Sequence, residues 1–251
     1  MTAIVQSVDR ALILLELIAG DPDGLRLSDL ARATGLAPST THRLLMALQQ
    51  RGFIQADPGT GQWQVGRKAH VVGAAWGTAR SMLAPATPQL RRLRDATRET
   101  ANLGLIEGGH VITLAQSESR EIMRAISPPG GHAPIFCSGM GKAIVATWSD
   151  DQIDRLIDHY GLSAVTRNSL TSRDAVHNEI ATIRANGFAM DDEEFVPGLR
   201  CVAAVILGPG GDAVAAVSVS GLSIRMTQDK VAKCAALVQA VAEQLSRKAA
   251  F

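Results

Sequence analysis

The sequence predicts an α+β protein with a small helical unit at its N-terminus and a larger unit built on an antiparallel sheet. Between residues 8 and 48, apolar residues recur at helical spacing. Between residues 100 and 220, strand-like segments alternate with helical stretches, which favours an antiparallel sheet. Pro85 and Pro88 separate the two patterns. We therefore divide the chain into a head (residues 1–66), a linker helix (67–84) and a C-terminal domain (85–251).

Length and composition indicate an ordered globular protein of the cytoplasm. The 251 residues suffice for one large or two modest domains, and no run of about eighteen apolar residues could cross a membrane. Charged residues at 9, 10 and 16 interrupt the apolar start, which therefore predicts a helix and not a signal peptide. The three cysteines form no C-x-x-C pair, so neither a zinc site nor a disulfide framework is expected. A net charge of +1 decides nothing about nucleic acid as a partner.

The head reads as a winged helix-turn-helix. A first helix, capped by Ser7, should turn four apolar residues inward: Val8, Leu12, Leu15 and Ile18. Two further helices, beginning at Ser28 and near Ser39, flank the tight turn Gly35-Leu36. The segment from Phe53 to Val65, interrupted by turn residues at 57–61, predicts a two-stranded wing.

The second helix of the pair has an outer face suited to DNA. Thr41, Leu44, Leu45 and Leu48 recur at helical spacing and should face the core. Ser39, Thr40 and Arg43 then lie together on the exposed side. Hydroxyls can reach phosphate or base edges, and Arg can pair bidentately with guanine in the major groove. Such helix pairs also occur as plain packing units, so a head that contacts protein instead of DNA is the alternative.

A linker helix and a larger domain are predicted behind the head. The linker runs from Arg67 to about Arg80 and places Val72, Trp76 and Ala79 on one face, with Trp76 available for burial against a partner subunit. The domain should contain these elements: a helix over 90–99, a hairpin over 102–116 turning at Gly108-Gly109, helices over 139–148, from Ser149, and from Ser172 to Gly187, strands over 188–190, 201–207 and 213–220, and a last helix from Thr227.

Three features of this domain carry candidate chemistry. The run Ser138 to Ala143 resembles a phosphate-binding loop, but Ala143 replaces the required Ser or Thr, so a nucleotide site is rejected. Its glycines can still expose N–H groups to an anion, or merely permit close packing. The acidic run 191–194 could bind a metal ion, but a solvated charged loop is the commoner explanation. Ser218 and Ser220 should face the same side of a strand, where their hydroxyls could bind a ligand or, equally, the local backbone.

An enzymatic activity is not expected. A nucleophile would need His110 or His132 as its base, and neither histidine belongs to a recognisable catalytic spacing.

Over nearly its whole length the sequence resembles the IclR family of bacterial transcriptional regulators. The resemblance rests on four groups of residues in this order: QSVDRALILLELIA, LSDLARATGLAPSTTHRLLMALQQRGF, GMGKA, and DDEEFVPGLRCVAA followed by SVSG. It implies a winged-helix head, a linker helix used in dimerisation and a GAF-like effector-binding domain. It also implies a homodimer or homotetramer that binds a palindromic operator in double-stranded DNA, with no cofactor and with a small organic acid as effector.

The resemblance also assigns roles to single residues. DNA contacts carry over to Ser39, Thr40, His42 and Arg43. Effector contacts carry over to Gly139, Met140, Asp191, Leu199, Cys201, Ser218, Ser220 and, as a weaker match, Ile122. This set resembles the pockets of members that sense glyoxylate and pyruvate. Because Met140 stands where a smaller residue is common, the pocket should be small, and we expect glyoxylate or a similar 2-oxo acid. A larger aromatic or sugar-derived acid is the alternative.

Overall fold

The computed structural model describes residues 5–73, 77–125 and 128–249. The chain divides into two compact units, residues 1–80 and 81–251. The proposed functional division at residues 66 and 84 stays a prediction. Trp76 and its expected contact with a partner lie outside the described residues.

The N-terminal unit is a winged helix-turn-helix, as predicted. Its elements are α1 (Gln6–Ala19), α2 (Leu27–Thr34), α3 (Pro38–Gln50), β1 (Ile54–Ala56), β2 (Trp63–Val65) and α4 (Arg67–Gly73). Gly35 ends α2 in the left-handed conformation, with φ of 67°, which favours glycine. The strands of the wing pair antiparallel. Six residues form the buried core of the unit: Leu14, Ile18, Leu30, Leu45, Ile54 and Trp63.

The predicted inward face of α1 is confirmed at Leu15 and Ile18 and is wrong at Val8 and Leu12. Val8 and Leu12 are 56% and 51% exposed, whereas Leu14 and Ile18 are buried. Successive residues turn by about 100°, so Leu12 lies about 200° round the helix from Leu14 and cannot share its face. The apolar residues at positions 8 and 12 therefore recur at helical spacing but do not face the core.

The starts of α1 and α2 differ from the predicted caps, whereas α3 begins close to Ser39 as predicted. α1 follows Val5 and α2 follows Arg26, so Ser7 and Ser28 lie within the helices and cap neither. α3 begins at Pro38, whose fixed φ suits the first helical position.

The C-terminal unit is built on a six-stranded antiparallel sheet. Its elements are α5 (Gly77–Thr97), β3 (Thr100–Glu107), β4 (His110–Ser117), β5 (His132–Pro134), a 3₁₀ turn (Ile135–Cys137), α6 (Gly139–Val145), α7 (Asp150–Tyr160), α8 (Arg173–Asn186), β6 (Ala189–Asp192), β7 (Leu199–Leu207), β8 (Ala213–Leu222) and α9 (Gln228–Ala249). The strands lie in the order β5-β4-β3-β8-β7-β6. The predicted antiparallel α+β domain is confirmed.

Helices cover both faces of this sheet. One apolar cluster joins α5 and α9 to one face and includes Leu90, Val217 and Val238. A second cluster joins α6, α7 and α8 to the other face and includes Val145, Ile153 and Ile180. The sheet is therefore the middle layer of three.

Pro85 and Pro88 do not separate two helices, although the sequence predicted that they lie between the linker helix and the helix over 90–99. Both lie inside α5, whose second half is the expected helix over 90–99. The buried positions Ala86, Leu90 and Leu93 pack this stretch against the sheet. Packing of this face offsets the backbone hydrogen bonds that the two prolines cannot make.

Smaller departures are local. The short strand β5 and the 3₁₀ turn after it were not predicted, and α6 ends at Val145 instead of near Trp148. The predicted cap residues Ser149 and Ser172 and the left-handed Gly187 are confirmed. Among the described residues, no helix is both long and apolar enough to cross a membrane.

Candidate functional site

The exposed face of α3 carries the residues expected to contact DNA. Ser39, His42 and Arg43 are exposed and Thr40 is half-buried. Thr41 is fully buried, and its hydroxyl donates to the carbonyl of Ala37 at 3.2 Å, so it belongs to the core as predicted. Within the described residues Arg43 takes part in no ion pair, which leaves its guanidinium available to an external anion.

A cavity of about 100 Å³ lies in the C-terminal unit between the sheet and the start of α6. Six of the predicted effector residues line it: Met140, Asp191, Leu199, Cys201, Ser218 and Ser220. Gly139 lies directly beside it, because a Cβ on Gly139 would stand 3.2 Å from the sulfur of Cys201. The structure thus brings together seven residues that are up to eighty-one positions apart in sequence, from 139 to 220.

Ile122 is not part of this cavity, contrary to the prediction. Its side chain is 96% exposed. The neighbouring Glu121 is held outward by Arg98, with its Oε1 2.7 Å from the guanidinium. The wall is formed instead by buried Ala125, whose carbonyl accepts a hydrogen bond from the Thr100 hydroxyl at 2.7 Å.

The register of the sheet explains why the polar residues meet. Asp191 pairs with Cys201, and Cys201 in turn pairs with Ser220. Ser218 pairs with Asn102 on β3. Because side chains of directly paired residues share a face, these strands present their polar groups together on the side of α6.

The start of α6 supplies donors to the same space. The hydroxyl of Ser138 caps the helix by accepting from the N–H of Gly141 at 3.4 Å. Within the described residues, the N–H groups of Gly139 and Met140 have no acceptor. A Cβ on Gly141 would collide with the carbonyl of Ile135, so a glycine at this position is needed for close packing.

Met140 limits the size of the cavity, and Gly104 makes room for it. A Cβ on Gly104 would stand 3.0 Å from Cε of Met140. Gly104 lies where the register of β3 and β4 shifts, so the methionine packs against a bare stretch of backbone.

Asp191 is a buried carboxyl group on the cavity wall. Its pKa is raised to about 7, chiefly by burial and also by the charge of Glu194, while a backbone hydrogen bond from Glu194 and the charge of Lys142 oppose the rise. That bond joins the Glu194 N–H to Oδ1 of Asp191 at 2.7 Å. Near neutral pH this group can therefore either accept or donate a proton.

Lys142 is a buried lysine next to the cavity, which the sequence did not predict. Its side chain is fully buried, and its Nζ lies 2.6 Å from Glu194 and 2.9 Å from Glu179. Asp191 and Glu194 are each only 7% exposed, so the acidic run is not the solvated loop that was expected. The reason is the ammonium group, because a buried carboxylate needs an opposite charge nearby. No candidate metal cluster occurs in the described part of the chain.

Cys201 does not have the properties of a reactive thiolate. Burial raises the pKa of its thiol to about 11, the charge of Asp191 adds to this, and hydrogen bonds from Ser220 and Ser218 oppose it. A thiol with such a pKa stays protonated at neutral pH, which leaves it a weak donor or acceptor.

Several cavity residues were missed by sequence reasoning. The main ones are Asn102, Thr113, Ala125, His132, Cys137 and Arg200. A signal existed for Asn102, since it is a polar residue at an alternating position of an otherwise apolar strand. No comparable signal existed for Ala125 or Cys137, which are small and apolar in character.

Lys142→Met should destabilise the C-terminal unit by about 3–5 kcal/mol, because it leaves Glu194 buried without its counter-charge. Urea denaturation followed by circular dichroism measures this. Lys142→Met combined with Glu194→Gln should recover part of the loss, since the unpaired charge is then removed. The exposed Lys233→Met is the matched control and should change little. Equal effects of Lys142→Met and Lys233→Met would contradict the prediction.

Comparisons with known proteins agree with this architecture. The model of the bacterial transcriptional regulator IclR C-terminal domain matches residues 78–247, and that of the IclR helix-turn-helix domain matches residues 7–58. The HTH-type transcriptional regulator BhcR of Paracoccus denitrificans is 39% identical over 242 residues, which cover 96% of this chain and 86% of the relative. The transcriptional repressor IclR of Escherichia coli is 37% identical over 98% of this chain and 90% of the relative.

A solved structure has the same fold. The crystal structure of IclR from Thermotoga maritima matches with a TM-score of 0.82 and 24% identity, over 99% of this chain and 100% of that chain.

Proposed function

This chain belongs to the IclR family of bacterial transcriptional regulators, and we propose that a two- or three-carbon 2-oxo acid, with glyoxylate the best candidate, controls its binding to an operator. The family pairs an operator-binding helix-turn-helix with a C-terminal effector-binding domain. The observation that carries the choice of ligand is the small cavity beside α6, in which hydrogen-bond donors converge.

The chemistry of the cavity suits an oxo acid. The N–H groups of Gly139 and Met140 are available to one carboxylate oxygen, and the hydroxyls of Ser218 and Ser220 can donate to the other oxygens. Asp191, when protonated, adds a donor on the same face of the sheet as the serines. A small anion with three acceptor oxygens uses all of these groups.

The size of the cavity argues against a larger acid. Pockets for drug-sized ligands usually measure about 300–1,000 Å³. The cavity here measures about 100 Å³, and the side chain of Met140 occupies its edge. An aromatic or sugar-derived acid would require Met140 to move away from Gly104.

For the operator, we propose that α3 enters the major groove. Ser39, Thr40 and His42 are expected at phosphates or base edges, and Arg43 at a guanine. The net charge of +1 gives little general attraction to DNA. Two heads paired on a palindrome, in a dimer or tetramer, would supply the specificity that one head lacks.

Arg43→Ala should weaken binding to the DNA upstream of the regulator's own gene by about 1–3 kcal/mol if Arg43 pairs with a base. Gel shift over a salt series measures this. Arg247→Ala, which removes the same charge from an exposed position of α9, is the control and should bind as the parent does. Unchanged binding by Arg43→Ala at every salt concentration would refute the assignment. No shift with any variant, the parent included, would favour a head that contacts protein.

Glyoxylate should bind the full chain more weakly as pH rises, because ionised Asp191 would repel an anion. With a pKa of about 7, affinity should fall about tenfold between pH 6 and pH 8. Isothermal titration at the two pH values measures this. Asp191→Asn cannot ionise, and its affinity should vary less than twofold over the same range. An equal pH dependence in both proteins would show that another group titrates, and no binding at any pH would refute glyoxylate.

Met140→Ala should exchange one ligand class for another. Removing the side chain enlarges the cavity, so glyoxylate should lose about tenfold in affinity while a bulkier aromatic 2-oxo acid gains. Titration of the parent and the variant with glyoxylate and phenylpyruvate tests this. Met46→Ala, at an exposed position of α3, is the control for loss of a methionine and should leave both affinities unchanged. Tighter binding of phenylpyruvate than of glyoxylate by the parent would favour the larger effector.

A further inference from the structure

Asn102 lies at the centre of a hydrogen-bond network on the cavity floor. It is 1% exposed and lines the cavity. Its Nδ2 donates to the hydroxyl oxygens of Ser218, at 3.4 Å, and Ser220, at 3.3 Å. Its Oδ1 accepts from Nε2 of Gln116 at 3.1 Å. Gln116 is half-buried on β4 and does not line the cavity.

The amide of Asn102 has no spare donor in this arrangement. An asparagine amide carries two N–H groups and one oxygen. The oxygen is taken by Gln116, so both N–H groups point to the serines, one to each. The orientation of the amide therefore depends on Gln116, which is one strand further from the serines.

The orientation of Asn102 determines what the serines can do. A hydroxyl has one hydrogen to donate. When its oxygen accepts from Asn102, that hydrogen is free to point into the cavity. The thiol of Cys201 lies within reach of both serine hydroxyls, which lower its pKa. Sulfur is a weak acceptor, so a carboxylate or oxo group can replace it at little cost.

We propose that Asn102 is a positioning residue, oriented by Gln116, that sets Ser218 and Ser220 as a pair of donors and so makes the cavity select acceptor ligands. A flipped amide would draw the serine hydrogens to its oxygen and turn serine lone pairs into the cavity. That surface would favour an amine or a hydroxyl. The inference deepens the proposed function, since it names the groups that reject a ligand without acceptor oxygens.

Neutron diffraction from crystals of the full chain soaked in D₂O tests the orientation without any ligand. The expected result is deuterium on Asn102 Nδ2 towards both serines, with the serine deuterons directed at the cavity or at Cys201. Serine deuterons directed at Asn102 Oδ1 would overturn the inference. The diffraction experiment determines the orientation of the Asn102 amide even if glyoxylate proves to be the wrong effector.

A pair of variants at Gln116 tests the consequence for binding. Gln116→Glu places an acceptor where Gln116 donates, so the Asn102 amide should flip, and glyoxylate affinity should fall at least tenfold by isothermal titration. Gln116→Met removes the donor without adding an acceptor, and affinity should fall about two- to threefold. Thermal unfolding of each variant confirms that it is folded. Equal losses in the two variants would overturn the inference.

The negative charge of Gln116→Glu needs its own control. In a Ser220→Ala background, a loss that acts through the serine hydroxyls should shrink several-fold, whereas repulsion between charges should remain. A loss of the same size in both backgrounds would mean that charge alone is responsible, and would overturn the role of the serines. If the parent protein does not bind glyoxylate, the effector assignment fails, and the diffraction arm still decides the role of Asn102.

Discussion

The pairing register of β3, β8, β7 and β6 is the constraint on which the effector domain depends. It sets Asn102, Ser218, Ser220, Cys201 and Asp191 on one face of the sheet. The alternate positions of the same strands are apolar and pack against α5 and α9. A slip of one residue would exchange the two faces, burying hydroxyls among leucines and leaving the cavity apolar. The core and the cavity are therefore specified by the same alternation.

The wall opposite the sheet is held by charge. Lys142 reaches from α6 to Glu194 in the loop after β6 and to Glu179 on α8. The same loop is tied from a second side, because the hydroxyls of Thr166 and Ser169 donate to the carbonyls of residues 193 and 194 at 2.7 Å each. A wall fixed at so many points resists expansion of the cavity. A buried ion pair often adds little net stability, but removing one of its partners is costly because the other charge is left uncompensated.

Local signals allowed much of the fold to be predicted, and tertiary packing accounts for the failures. Ser149, Ser172 and Gly187 act on the few residues around them, so the start of α7 and both ends of α8 could be predicted directly. The inward face of α1 depends on its partners, and apolar residues at 8 and 12 gave no sign of that. Similarly, Lys142 looked like part of a loop motif, because its two carboxylate partners lie thirty-seven and fifty-two positions away. Asn102 was missed because its place in the site depends on hydrogen bonds to serines that lie 116 and 118 positions further along the chain.

The connection between α5 and β3 bears on how a ligand could influence the rest of the chain. α5 ends at Thr97, and β3, which carries Asn102, begins at Thr100. Between them Glu99 is 1% exposed and bonded to Arg225 and Lys230 at 2.6 Å each. Burial raises the pKa of Glu99, but its hydrogen bonds and ion pairs with Arg225 and Lys230 outweigh burial and lower the pKa. The Glu99 carboxylate therefore stays charged at neutral pH. A ligand changes an equilibrium only through contacts that differ between states. The proposed contacts of a ligand with Ser218 and Ser220 would act through Asn102 on β3, the strand that follows α5. The junction of α5 and β3 is therefore the shortest stretch of chain between the cavity and the head.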